Sequence, residues 1–296
     1  MKTGKVAIVG KPNVGKSTLV NTIFNKNMVI TSCKPQTTRN KISLFYQDKE
    51  AQIIITDTPG YHKAKNKLDL FLNSQVKTSL KDVDVVIFVF DAKRNYDDED
   101  KKILEQIKTF KFNKLVLAIN KFEGENELVL KSIKSVLEND GFIFDKIMCI
   151  SALYNEHIVE LMDYVKSQLE ESDDQFFIEN NVEQKDEFLI AEIIRRIIIE
   201  KFKQEIPYSV AVVVEKMQFF QDKNLLSINF SIVVEKESQK PIIIGRHGKV
   251  IKEIGIEARK ELLKIYDCKI FLESYVKVKK NWRDNDTMIK ELGYKK

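Results

Sequence analysis

The chain has 296 residues, 43% apolar and 31% charged, with 10 glycines and 5 prolines, which excludes a disordered, collagen-like or linker-dominated protein. At roughly 150 residues per domain its length suggests two domains. No membrane span or secretory leader is expected, and Cys33, Cys149 and Cys268 lie too far apart for a disulfide framework or a cysteine zinc site, as expected of reduced thiols in the cytoplasm.

Reading from the N-terminus, the apolar run Val6–Val9 predicts a buried strand. Gly10-Lys11-Pro12-Asn13-Val14-Gly15-Lys16-Ser17-Thr18 follows it and fits G-x-x-x-x-G-K-[ST], with a helix expected over Ser17–Lys26. Between a strand and a helix N-terminus, such a loop can curl its backbone N–H groups around phosphate oxygens. Lys16 would then bridge β- and γ-phosphates and the Ser17 hydroxyl would ligate Mg²⁺. Pro35-Gln36-Thr37-Thr38-Arg39 lies in the next loop, where it could close over a nucleotide. Lys41–Gln47 and Ala51–Ile55 flank the polar Asp48-Lys49-Glu50 turn and read as a hairpin whose first member is an antiparallel edge strand. Asp57-Thr58-Pro59-Gly60-Tyr61 comes next; Asp57 can hold a Mg²⁺-bound water, and the Gly60 N–H can face a γ-phosphate.

Helix Lys65–Leu80, strand Val85–Phe90, helix Asp98–Phe110, strand Leu115–Ile119, helix Asn126–Glu138, strand Ile147–Ile150 and helix Glu156–Glu170 then alternate. This pattern predicts a mostly parallel, doubly wound α/β sheet. Asn120-Lys121-Phe122-Glu123 and Ser151-Ala152-Leu153 end the last two strands, at the carboxyl edge where open α/β sheets bind ligands.

Around Glu170 the periodicity stops. Residues 1–170 read as one domain, 171–185 as a polar, acidic linker, and 186–296 as an α+β domain. Its expected elements are helix Asp186–Lys203, strands Tyr208–Met217 and Leu225–Glu235, the short apolar Pro241–Ile244, helix Lys249–Tyr266, strand Cys268–Lys279 and helix Asp286–Leu292. The loop Gly245-Arg246-His247-Gly248 sits between two of the helices. A helix–strand–strand–helix–helix–strand order around G-x-x-G is that of a type II KH domain, whose loop clamps single-stranded RNA backbone. Ile244, Gly245, Arg246, His247, Gly248, Lys249 and Lys252 are the expected RNA contacts, while Ile243, Ile244 and Ile251 either line an apolar base groove or belong to the core. Charge agrees: the chain carries +5 overall, as +4 over 1–170 and +1 over 171–296, yet 240–283 alone carry +7.

The five nucleotide segments resemble those of translation-factor-class GTPases, and the forms Pro12–Thr18, Pro35–Arg39 and Asp57–Gly60 are similar to the Era family. So are Glu205–Val210, Ile244–Ile251, Val276–Trp282 and Leu292-Gly293-Tyr294, so the resemblance spans nearly the whole chain and is weakest over Asp173–Lys185. It implies Mg²⁺-dependent hydrolysis of GTP to GDP and phosphate at a slow intrinsic rate. Lys16, Thr38 and Gly60 would be the catalytic contacts, and Ser17, Thr38 and, through water, Asp57 would hold Mg²⁺. The resemblance further implies binding to the 3′ region of 16S ribosomal RNA, a role in assembly of the 30S subunit, and peripheral association with the membrane; a monomer is expected.

Glu123 departs from the family's N-K-x-D pattern, offering guanine the same bidentate acceptor on a stem one methylene longer. Tyr61 stands where many small GTPases carry a water-positioning Gln, which leaves positioning and charge stabilisation to carry hydrolysis. His62 reads as a bystander, and His157 and His247 match no metal spacing. Resemblance to GTPases that lack this Gln implies that Asn13 would help coordinate K⁺ beside the phosphates; the alternative is a capping or loop-stabilising residue. The rivals are a P-loop ATPase or nucleotide kinase, against which Asn120-Lys121 and Ser151-Ala152 argue, and an RNA-binding scaffold with a vestigial nucleotide site, against which intact Lys16, Ser17, Thr38 and Asp57 argue.

Overall fold

The structure, a computed structural model, describes every residue except 27, 30, 32–36, 125–126, 173–185 and 295–296, and the side chains at 127 and 129 are also not described. Cys33, Pro35, Gln36, the helix start expected at Asn126 and the linker residues 173–185 lie outside the described residues. The chain divides into two compact units, Met1–Lys65 with Asp69–Glu183, and Asn66–Leu68 with Gln184–Lys296.

The first unit runs β1 (Lys2–Val9), α1 (Lys16–Phe24), β2 (Ile42–Gln47), β3 (Ala51–Asp57), α2 (Lys67–Ser79), β4 (Val85–Asp91), α3 (Asp98–Lys108), β5 (Lys114–Asn120), α4 (Glu127–Asn139), β6 (Lys146–Cys149), α5 (Ile158–Ser167) and β7 (Glu170–Glu171). The sheet order is β2-β3-β1-β4-β5-β6, with β2 antiparallel to β3 and the other neighbours on this path parallel. Val85, Val86, Ile87, Phe88, Val89 and Phe90 are all buried, as expected of a strand covered on both faces. Three strands outrun their apolar runs into polar residues, β3 by Thr56 and Asp57, β4 by Asp91 and β5 by Asn120. Asp57 pairs in register with Ile42, and Asp91 with Asn120, so the sheet's hydrogen bonding carries these side chains to its carboxyl edge.

In this unit the residues around Glu170 differ from expectation. Glu170 and Glu171, read as the end of a helix and the start of the linker, pair antiparallel with Thr3 and Lys2. The reason lies in β1, which is longer than its apolar core. It pairs with β3 from Lys2 to Ile8 but with β4 only from Val6 to Val9, which leaves the other edge of its first residues open for β7.

The second unit runs α6 (Asp186–Lys201), α7 (Ile206–Ser209), β8 (Ala211–Phe220), β9 (Leu225–Val234), α8 (Lys240–Ile244), α9 (Lys249–Leu262), β10 (Lys269–Val278) and α10 (Asp286–Glu291). Its sheet order is β10-β9-β8, with β9 parallel to β10 and antiparallel to β8. The strand expected from Tyr208 begins instead at Ala211, because Ile206–Ser209 form a helical turn with Pro207 in its first positions, where its missing N–H costs nothing. Ile190, Ile194, Ile197 and Ile198 of α6 and Ile254, Ala258 and Leu262 of α9 pack against Ile228, Phe230 and Ile232 of β9. Trp282 is fully buried; its Nε1 donates to the Ser209 carbonyl at 2.9 Å, and its ring stacks on Tyr294 with centroids 5.9 Å apart.

Candidate functional site

The phosphate-type loop joins β1 to α1. Gly15 sits at φ +100°, and a Cβ there would lie 2.2 Å from the Asn120 Nδ2, so glycine alone fits. Lys16 is buried, and its Nζ donates to the carbonyls of Gly10 at 3.1 Å and Lys11 at 2.8 Å. Burial pulls its ammonium down to about 8, with the Asp57 carboxylate opposing the shift. Ser17 Oγ donates to Asp57 Oδ2 at 2.7 Å and lies 2.9 Å from Thr38 Oγ1, which is itself 3.3 Å from Asp57 Oδ2. Asp57 Oδ1 is buried and has no hydrogen-bond partner among the described residues, and burial raises the carboxyl's pKa. Two hydroxyls and a carboxylate with a spare buried lone pair form the hard oxygen set that suits Mg²⁺. Among the described residues, no group of three or more His, Cys, Asp or Glu could hold a metal ion.

Asp57-Thr58-Pro59-Gly60 folds against the same loop. Thr58 Oγ1 donates to the Ile8 carbonyl at 2.7 Å, and the Tyr61 N–H to the Gly10 carbonyl at 3.3 Å. A Cβ on Gly60 would fall 2.6 Å from the Pro12 backbone, so the residue's smallness lets the two loops touch. Pro12, Asn13, Gly15, Lys16, Ser17, Thr18, Thr31, Thr37, Thr38, Gly60 and Lys121 line a cleft of about 380 Å³, within the usual size of a small-ligand pocket.

The remaining strand ends build the cleft's flank. Asn120 is a brace: its Nδ2 donates to the Val14 carbonyl at 2.8 Å, and its Oδ1 accepts from the Ala152 N–H at 2.9 Å. Lys121 Nζ donates to the Asn13 carbonyl at 2.8 Å and to Asp91 at 2.6 Å. Glu123 accepts from Lys93 Nζ at 2.8 Å on one oxygen and from Ser151 Oγ at 3.1 Å on the other; the Lys93 ammonium chiefly holds this carboxyl below its ordinary range. Leu153 is exposed. Lys11, within the same loop, directs its ammonium to Asp97 at 2.6 Å and Glu99 at 3.3 Å near the start of α3.

His62 is not a free base. Its Nδ1 lies 3.0 Å from the Gly60 carbonyl and its Nε2 3.2 Å from Asp69, so both nitrogens face acceptors, and the Asp69 hydrogen bond raises its pKa. Exposed His157 pairs with Glu160. Sequence reasoning missed Asp91, Lys93 and Asp97. Asp91 was findable as a carboxylate ending an apolar run, as Asp57 does; Lys93 carries no local signal.

In the second unit, Gly245 ends α8 at φ 73°, ψ 170°, His247 is left-handed at φ 53°, and Gly248 caps α9 at φ 72°. A Cβ on Gly245 would lie 2.4 Å from Val250 Cγ2, whereas Gly248 faces open space. Arg246, His247, Lys249 and Lys252 are exposed and Ile244 is half-buried. Ile243, offered as a base-groove residue, is completely buried in the core, because α8 turns that side chain inward; half-buried Ile251 packs against the same core, and the exposed neighbour is Ile242.

Comparisons with known proteins match both parts of the chain. Residues 5–121 match the family model of the 50S ribosome-binding GTPase, and residues 205–283 that of the KH domain. The chain is 42% identical to the GTPase Era of Ureaplasma parvum serovar 3, covering 99% of this chain and 98% of that one, and 39% identical to that of Halothermothrix orenii, covering 99% of each. It superposes with a TM-score of 0.93 and 34% identity on the crystal structure of Era in complex with MgGDPNP and nucleotides 1506–1542 of 16S ribosomal RNA, over 99% of both chains. A tyrosine-to-alanine variant of Aquifex aeolicus Era bound to GDP·AlF4⁻ matches equally well, with a TM-score of 0.93, 35% identity and 99% of both chains covered.

Proposed function

This chain belongs to the Era family of GTPases, and we propose that it couples hydrolysis of GTP to binding of the 3′ region of 16S ribosomal RNA during assembly of the 30S subunit. The convergence of Ser17, Thr38 and Asp57 beside buried Lys16 is the observation that carries the nucleotide half. Ser17, Thr38 and Asp57 would hold Mg²⁺, which when bound neutralises charge on the β- and γ-phosphates. Lys16 adds a desolvated cation facing the same oxygens, and the Gly60 N–H donates where negative charge develops. Thr38 senses the triphosphate state. Glu123 accepts from guanine N1–H and N2–H, and an adenine would leave that carboxylate unmatched.

The RNA half rests on the exposed Arg246, Lys249 and Lys252 around Gly245 and Gly248, which suit close approach to an RNA backbone. Residues 1–170 serve as the nucleotide domain and 186–296 as the RNA domain, joined by 171–185. Asn13 would help hold K⁺, which would supply further positive charge beside the phosphates. The protein works as a cytoplasmic monomer with peripheral membrane attachment; no helix among the described residues is long and apolar enough to cross a membrane.

The test is phosphate release with GTP against ATP, in Mg²⁺ and in chelator, together with RNA crosslinking in both nucleotide states. GTP-selective, Mg²⁺-dependent release that Lys16→Ala abolishes is expected. Equal turnover of ATP would favour the P-loop ATPase reading.

A further inference from the structure

Glutamate at position 123 has a cost that aspartate would not. Its additional rotatable bond must be frozen before both carboxylate oxygens face a base together. Contacts from two other loops already hold it. Lys93, two residues beyond β4, reaches one oxygen at 2.8 Å, and Ser151, two residues beyond β6, reaches the other at 3.1 Å. The backbone of Lys93 is itself anchored, since its N–H donates to Asp91 Oδ1 at 2.9 Å while Asp91 Oδ2 accepts from Lys121 at 2.6 Å. Loops following three adjacent strands therefore meet at a single carboxylate.

We infer that Lys93 is a positioning residue for base recognition, pinning the longer Glu123 side chain so that it presents both oxygens to guanine. Each carboxylate oxygen has two acceptor sites, so the bonds from Lys93 and Ser151 leave one on each for N1–H and N2–H. Side-chain exposures of 49% for Lys93 and 22% for Glu123 leave the carboxylate reachable by a base and the ion pair open to salt. The inference rests on Glu123 being the guanine acceptor.

Dissociation constants for GTP and ATP, measured on the full chain, test it. Lys93→Met is expected to weaken GTP about two- to five-fold, the range for partly exposed ion pairs, and to leave ATP unchanged. Lys93→Arg should restore GTP affinity, and the loss should fade between about 0.05 M and about 1 M salt. In a Glu123→Asp background, whose shorter carboxylate falls away from Lys93, Lys93→Met should have no effect. Equal losses for GTP and ATP, unchanged or tighter GTP binding, or the same loss in the aspartate background would each overturn the role of Lys93. Glu123→Ala separates that failure from a deeper one: discrimination retained in this variant would overturn the guanine reading itself.

Discussion

At the scale of single residues, Lys16 couples pH to binding. Its pKa falls from 10.5 to about 8 on burial, so between these values the unfolded chain holds more protons than the folded one. Stability of the nucleotide-free protein therefore rises with pH across that window. Binding runs the other way, since polyphosphate favours the ammonium and a proton must be taken up above about pH 8. GTP affinity should fall there by up to about tenfold per pH unit, and calorimetry in buffers of different ionisation enthalpy counts the proton. Absence of uptake at about pH 9 would assign the buried cation no part in phosphate binding. Asn13, left-handed at φ 63° in the same loop, carries a second residue-scale prediction. Hydrolysis should be faster in K⁺ than in Na⁺ at constant ionic strength, and Asn13→Ala should abolish the difference; equal stimulation in the variant would remove Asn13 from the K⁺ site.

At the scale of elements, the α8–α9 junction separates folding from RNA contact. Gly245 occupies a backbone region nearly closed to other residues and abuts Val250, so Gly245→Ala should cost about 3 kcal/mol or more of stability. Gly248 needs only the left-handed conformation, and Gly248→Ala should cost about 1–2 kcal/mol. Gly248→Asp should abolish RNA binding with a similarly small loss, since its carboxylate would face phosphates. Thermal unfolding beside RNA titration distinguishes these outcomes, and equal destabilisation at the two glycines would show that the junction relaxes. Legibility in the sequence divides along related lines. Val85–Phe90 and the G-K-S loop are continuous in the chain, so local pattern announces them. The Lys93–Glu123 and Lys11–Asp97 pairs join loops after different strands, and no spacing encodes them. Ile243 stayed open between groove and core because three consecutive isoleucines give a short helix no visible phase; only packing decides that the middle one is buried. The turn Ile206–Ser209 was hidden by a run of strand-forming residues beginning directly after it.

At the scale of the whole molecule, any link between nucleotide and RNA must be reciprocal. If GTP raises RNA affinity by some factor, RNA must raise GTP affinity by the same factor. Titrating RNA against protein bound to GDP or to a non-hydrolysable GTP analogue, and nucleotide against free and RNA-bound protein, closes that thermodynamic square. Nucleotide-independent RNA affinity would leave both sites intact but uncoupled. The pairing of Glu170–Glu171 with Lys2–Thr3 has a different consequence. Because the Ser172 N–H donates to the Met1 carbonyl at 3.0 Å, the start of the nucleotide unit and the end of its last strand are neighbours. A circular permutant joining residue 172 to residue 1 by a few glycines, with new ends opened in the Asp48–Glu50 turn, should therefore keep the sheet order and the nucleotide cleft.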